Sequence, residues 1–398
     1  MDRLWTFNFI KACLANFLLF FAFYLLIPVF PLYLIDTFGA SKSTIGIVLS
    51  SYTVAALLIR PVSGFVLDMM QRKPLYLVAF FLFVTTFVSY PLALTIGMFM
   101  VFRVLHGFSF GFVTTAGNSL VVDILPASRR GEGLGYFGIA NNMAMVVGPM
   151  AGLMLQSRFG YPIIFYSAIT AGLIGFGFAS MIKVEKVTTV REKEPLALDR
   201  FFLLKGLPAG LTLMLIGIPY GMFITYLAVY GLELGIRTDL GLFFTLLAAG
   251  LIASRLFSGK MVDRGKLTNA IEYGLLISVV GMLLLASLRQ LTANYPDLVE
   301  VLFLTIPVIL GLGYGLTFPA YNTLFMNLAP HNRRATASST FMTSWDTGVG
   351  VGLVLGGRLG DSNGGLALAF GVGGIMIVLS YVVFHLAAGP HFKRNKLR

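Results

Sequence analysis

Charge is scarce in this chain. Only 12% of its 398 residues are Asp, Glu, Lys or Arg, about half the ~25% usual for soluble domains. Acidic residues are the scarcer kind, 17 against 29 basic ones, for a net charge of +12. The single cysteine, Cys13, excludes an internal disulfide and a Cys-based metal cluster. Three of the four histidines, His331, His385 and His391, fall at the ends of apolar runs without metal-ligand spacing, so neither a metal nor another cofactor is expected. No GxxxxGK(S/T) phosphate loop occurs, which excludes ATP hydrolysis by this chain. Nothing pairs a nucleophile with a base, so an enzyme is not expected.

Apolar residues fill the space that charge leaves. They make up 57% of the chain, and the mean hydropathy is +0.85. A membrane-spanning helix needs about 20 mostly apolar residues. Twelve such runs are present, at 9–35, 44–67, 74–95, 97–123, 133–157, 162–182, 203–231, 239–262, 268–289, 299–325, 336–358 and 364–388. The first is too long for the h-region of a cleavable signal. The expected fold is therefore an all-α integral membrane protein. The longest polar interruption, "KVEKVTTVREKEPLALDR", divides it into an N-terminal six-helix bundle (1–182), a cytoplasmic linker (183–202) and a C-terminal six-helix bundle with a short basic tail (203–398).

The basic residues set orientation. With both termini placed in the cytoplasm and residues at span ends counted with the adjacent side, 21 Lys and Arg fall on the cytoplasmic side and 5 on the other, leaving Arg60, Arg103 and Arg255 deeper inside spans. The net positive charge is thus a topology signal, and nucleic acid is not an expected partner. The expected partners are the lipid bilayer, a small-molecule substrate and protons, with the chain acting as a monomer. The absence of any Asn-x-Ser/Thr sequon points to a bacterial cytoplasmic membrane.

An internal repeat supports the six-plus-six division. "RPVSGFVLD" from Arg60 returns as "RLFSGKMVD" from Arg255, an offset of 195. Gly107, Gly111, Asn118 and Pro126 match Gly311, Gly315, Asn322 and Pro330 at an offset of 204. Parallel six-helix repeats are a transporter architecture whose substrate site lies between the halves, near the bilayer midplane.

Four motifs in order resemble the major facilitator superfamily, and in particular its twelve-helix drug–proton antiporters. "GFVLDMMQRK" carries Gly64, Asp68, Arg72 and Lys73 between the second and third spans, with Gln71 where a glycine is usual. "PVFP" ends the first span, "FRVLHG" lies in the fourth, and "GIANNMAMVVGPMAG" fills the fifth with Gly138, Asn142, Gly148, Pro149 and Gly152. The resemblance implies the major facilitator fold and secondary active transport by alternating access. It also implies a cytoplasmic gate of Gly64, Asp68, Arg72, Lys73 and Asp123, with Asp263 as the second-half counterpart of Asp68; Arg72 and Asp123 lie at span ends on the same side, where Arg72 can bridge to Asp123. Position 327, opposite Asp123 in the repeat, is Asn, so the gate is expected to be asymmetric.

Intramembrane polar residues supply the candidate substrate and proton pathway. Arg103, His106, Thr114 and Asn118 share one face of the fourth span. A charge at the bilayer centre costs about 2.5–3.5 kcal/mol on insertion scales and usually faces a cavity or a partner. Arg103 is only ~9 Å from Gly97 along the helix, so snorkelling to the outer surface stays open. The repeat places Pro307 and Leu310 opposite Arg103 and His106, so the architecture itself does not require the pair. Asp346 lies twelve residues from both Arg334 and Arg358, near mid-membrane, with Trp345 beside it to stack on substrate or to pack. Desolvation penalises the charged form of such a carboxylate, and a neighbouring cation favours it. The leading expectation is proton-coupled efflux of a small organic molecule: a drug, metabolite, sugar or metallophore. Import of a sugar or organic acid is the alternative, and a non-transporting receptor is a third reading.

Overall fold

The computed structural model describes residues 3–126, 129–184, 202–263, 265–330 and 333–397, without the side chains of 61, 65, 68, 130, 131, 255–260, 262, 263, 334 and 335. Every regular element among the described residues is helical. The first span is two helices, α1 (Phe7–Leu26) and α2 (Val29–Phe38), where the sequence suggested one run over 9–35. Pro28 and Pro31 explain the break, since neither has an N–H to continue the ladder. Gly39, at φ 61°, ends α2.

The next five spans are α3 (Lys42–Met69), α4 (Arg72–Ser89), α5 (Ile96–Ile124), α6 (Arg130–Phe159) and α7 (Tyr161–Ser180). A 3-10 turn, Tyr90–Leu92, follows α4, and the Thr95 hydroxyl caps α5 by accepting from Met98 N at 3.2 Å. The second six are α8 (Leu207–Glu233), α9 (Gly241–Asp263), α10 (Leu267–Leu291), α11 (Pro296–Leu328), α12 (Arg334–Gly360) and α13 (Gly365–Val383). Five π-helical residues, Phe384–Ala388, then lead into α14 (Gly389–Asn395).

Ten described helices are long and apolar enough to cross a membrane, and Gly241–Ser254 of α9 is a shorter apolar stretch. The 27-residue α12 is absent from that set because Ser, Thr, Gly and Asp346 dilute its apolarity. Its length of ~40 Å still exceeds a hydrocarbon core of ~30 Å.

Two compact units emerge. One comprises Met1–Gly39 with Ser51–Lys193, the other Ala40–Ser50 with Glu194–Arg398. Helix α3 therefore starts in the second unit and continues in the first. Most of the expected linker, 185–201, lies outside the described residues.

The sequence repeat is a packing repeat. A Cβ at Gly107 of α5 would collide with the carbonyl oxygen of Tyr52, and one at Gly311 of α11 with that of Leu247. Tyr52 and Leu247 are themselves 195 residues apart, the offset of the first repeated motif. In the first unit the glycines bring the fourth span onto the second, and in the second unit the tenth onto the eighth. Small residues let membrane helices approach at backbone distance, where dispersion and Cα–H···O contacts replace the missing hydrophobic drive.

Candidate functional site

In the first unit, α5 carries its two ionisable residues into an aromatic box. Arg103 is 3% exposed and His106 0%. The guanidinium carbon of Arg103 lies 4.5 Å from the centre of the Tyr52 ring and 5.1 Å from that of Phe30. Desolvated cation–π contacts of this kind are worth about 2 kcal/mol. His106 sits among Phe23, Tyr52, Phe83, Phe87 and Tyr90, with Phe83 and Phe87 nearest at 4.7 and 4.9 Å between ring centres.

Tyr90 joins the two. Its hydroxyl is 2.5 Å from His106 Nδ1 and is also hydrogen-bonded by Arg103. A guanidinium only donates, so the Tyr90 oxygen accepts from Arg103 while the same hydroxyl is hydrogen-bonded to Nδ1. The other ring nitrogen of His106, Nε2, has no hydrogen-bond partner among the described residues. Tyr90 was not singled out from the sequence. An aromatic residue at a span end reads as an interface anchor, yet Tyr90 is fully buried. Farther along α5, Thr114 is half-buried and Asn118 exposed; Asn142 of α6 is half-buried.

Helix α6 lies against α1 at backbone distance. A Cβ at Gly148 would strike Tyr24, and one at Gly152 the carbonyl oxygen of Leu25; Pro149 between them is buried, while Gly138 faces open space. Asn16 adds a polar tie, its buried amide donating to the Phe137 carbonyl at 3.2 Å. Where α4 begins, Arg72 Nη1 donates to Asp123 Oδ1 at 2.7 Å, the pairing expected from the sequence. Lys73 is half-buried and Gly64 faces open space. The side chains of Asp68 and Asp263 lie outside the described residues.

In the second unit, Trp345 of α12 packs between Tyr220 and Phe318, with ring centres 4.8 and 5.0 Å away. Tyr314 extends this cluster through Tyr220, and its buried hydroxyl has no hydrogen-bond partner among the described residues. Asp346 follows Trp345 and is half-buried. The close approach of α12 to α8 uses the same device as α6 on α1. A Cβ at Gly348 would meet the Met214 carbonyl, and one at Gly352 that of Ile218.

The start of α3 is docked within the second unit by contacts that the sequence did not disclose. Asp361 accepts from Lys42 N at 3.0 Å and Ser43 N at 2.7 Å, and Ser41 accepts from Thr44 N at 3.2 Å. Three of the N–H groups left over at the helix start thereby find acceptors. Lys42 Nζ pairs with Glu233 at 2.7 Å. The Tyr226 hydroxyl lies 2.9 Å from the Leu353 carbonyl oxygen and 3.1 Å from that of Lys42, one proton serving two acceptors.

Burial raises the Asp361 carboxyl, but hydrogen bonds from Ser43, Lys42 and Ser41 outweigh it and hold the group below its ordinary value of 3.8. A depressed folded-state value means the stabilisation is complete above the unfolded value and is lost as pH falls through the folded one. Asp361 is exposed, so solvent screening limits the cap to about 0.5–1 kcal/mol. Asp361→Asn is expected to lower the melting temperature at pH 7 by about 1–3 °C, with the gap closing as pH falls from 5 toward 3. A gap that stays constant across that range would show that the carboxylate is not the cap.

A family model described as Major Facilitator Superfamily matches residues 12–353, with a second match over 274–397. The Staphylopine export protein of Staphylococcus aureus (strain Mu50) is 23% identical over 356 residues, covering 87% of this chain and 88% of that protein. The Quinolone resistance protein NorA of Staphylococcus aureus (strain MSSA476) is 24% identical over 376 residues, covering 91% and 93%. Among solved structures, a D-xylose-proton symporter has a TM-score of 0.76 at 15% identity, covering 98% of this chain and 99% of the other. The nucleoside transporter NupG has a TM-score of 0.75 at 15% identity, covering 97% and 99%.

Proposed function

The chain belongs to the Major Facilitator Superfamily, and from that premise we propose that it exports a small organic molecule from the cytoplasm in exchange for protons. As a member it is a membrane transporter and not an enzyme. The observation that carries the export reading is the near full-length similarity to proteins named for staphylopine export and quinolone resistance. The backbone-distance packing of α6 on α1 through Gly148 and Gly152 supports it, because the sequence that builds this packing resembles the antiporter pattern.

In this reading Asp346 takes up and releases the proton, and Arg103 and His106 belong to the substrate and proton pathway. Asn118, Asn142 and Trp345 contribute its remaining polar and aromatic groups. Arg72 and Asp123, with Gly64, Asp68, Lys73 and Asp263, form the cytoplasmic gate, and both termini face the cytoplasm. The symporter and nucleoside-transporter structures share the fold at 15% identity, which speaks to architecture alone, so import is the second reading.

The test has two stages. Metabolites released by overexpressing cells and retained by deletion cells identify a candidate substrate, which is then added to everted membrane vesicles holding an acid-inside gradient. Export by antiport is expected to carry substrate inward and protons outward, so the lumen becomes more alkaline. Acidification by the substrate would establish symport and overturn the proposal. A lumen pH that stays constant while substrate accumulates would overturn proton coupling.

A further inference from the structure

We infer that the C-terminal end of the second unit is a docking surface for the headgroup of an anionic diacyl phospholipid. This inference is independent of the direction of transport. The last helical run extends unbroken from Gly365 to Asn395, 31 residues and ~46 Å, so it outruns a hydrocarbon core of ~30 Å. The excess packs against the unit. Phe392 is 4% exposed. The His391 ring, through Nε2, donates to the Lys205 carbonyl at 3.0 Å, and Leu397 N donates to the Asn327 carbonyl at 2.9 Å. The tail is thereby fixed to the turn before α8 and to the end of α11.

That ordering has a chemical consequence. A basic tail needed only for topology could remain unstructured, and fixing it costs conformational entropy. Here it places Lys393, Arg394 and Lys396, all exposed, on the segment bonded to the backbone of exposed Lys205. Among the described residues, 202–210, 325–330 and 384–397 contain no acidic residue. The nearby acid Glu272 is paired with His385 at 3.0 Å. Around the cations Leu204, Leu207 and Leu397 are 57%, 47% and 53% exposed. Cations beside bare leucines fit a phosphodiester whose glycerol and first acyl carbons need apolar cover. Free phosphate has no use for the leucines, and a zwitterionic headgroup gains little from the charge. Basic groups next to a bilayer attract anionic lipid, each contributing about five-fold in affinity.

The full chain, delipidated in a neutral detergent, would be titrated with phosphatidylglycerol or phosphatidylcholine, and bound lipid counted by native mass spectrometry. The wild type is expected to prefer phosphatidylglycerol. The variant Lys393→Gln/Arg394→Gln/Lys396→Gln is expected to weaken phosphatidylglycerol binding by at least ~10-fold and leave phosphatidylcholine unchanged. A control, Arg237→Gln/Arg358→Gln, removes exposed charge near the far ends of α8 and α12 and should keep the preference. The single variant Lys393→Gln serves if the triple variant does not fold, with a loss of about five-fold expected. An undiminished preference in the tail variants would overturn the inference, as would displacement of the lipid by millimolar inorganic phosphate.

Discussion

Gly152→Leu is expected to leave little folded protein in the membrane, and Gly152→Ala to lower the melting temperature by several degrees. Two opposed effects decide the alanine case. Alanine stabilises a helix interior by about 1 kcal/mol over glycine, which alone would raise stability. At position 152, however, the new methyl group would overlap the carbonyl oxygen of Leu25. That obstacle is backbone, which cannot rotate aside like the end of a side chain, so α6 and α1 must separate along the whole contact. Overpacking of this kind costs about 1–3 kcal/mol, and parting a tight helix pair also forfeits the dispersion contacts that hold membrane helices together. The steric effect wins. Gly138→Ala is the internal control: it lies on the same helix with open space around its Cβ and should be neutral or slightly stabilising. The measurement is thermal unfolding of the purified variants together with their yield in membranes. Equal melting temperatures for Gly152→Ala and the wild type would mean that α6 and α1 are not in backbone contact.

These glycines mark the limit of what sequence discloses. The spacing of Gly148 and Gly152 predicts a close-packed face, and the structure identifies its partner as Tyr24 and Leu25 of α1. Gly107 and Gly311 were visible as a repeat, but that both lean on carbonyls 195 residues apart becomes evident only in three dimensions. The pairing of Arg72 with Asp123 was legible because each charge ends a span on the same side. The cap on α3 was not. Its donor and acceptor are 319 residues apart, and a solitary Asp in "LGDSNGG" looks like a turn residue. Tyr90 escaped notice for a related reason: an aromatic residue at a helix end carries no local sign of whether it faces lipid or an arginine. Local periodicity reports which face of a helix is apolar, and long-range polar contacts leave no periodic trace.

Asp346→Asn is expected to abolish uphill, pH-driven accumulation of substrate in proteoliposomes while leaving substrate-for-substrate exchange within a few-fold of wild type. Asp346 is ~18 Å along the helix from both Arg334 and Arg358, so the acid sits near the centre of a stretch, 335–357, otherwise free of ionisable residues. Insertion of a carboxylate there costs about 2.5–3.5 kcal/mol relative to an apolar residue. The close approach to α8 is made by Gly348 and Gly352, and the aromatic cluster by Trp345. Asparagine preserves size and hydrogen-bonding capacity but neither binds nor releases a proton, so it isolates the ionisation step from shape. Under the proposed antiport, alternating access presents the carboxyl first to one side of the membrane and then to the other, and each transit of substrate is exchanged for its proton. Without that exchange the carrier can still shuttle substrate down a gradient, but the pH difference no longer drives it. Melting temperatures of variant and wild type should agree within a few degrees, separating loss of coupling from loss of fold. Full pH-driven accumulation by Asp346→Asn would remove this residue as the coupling site and turn attention to His106, buried beside Tyr90, or to Asp123, paired with Arg72.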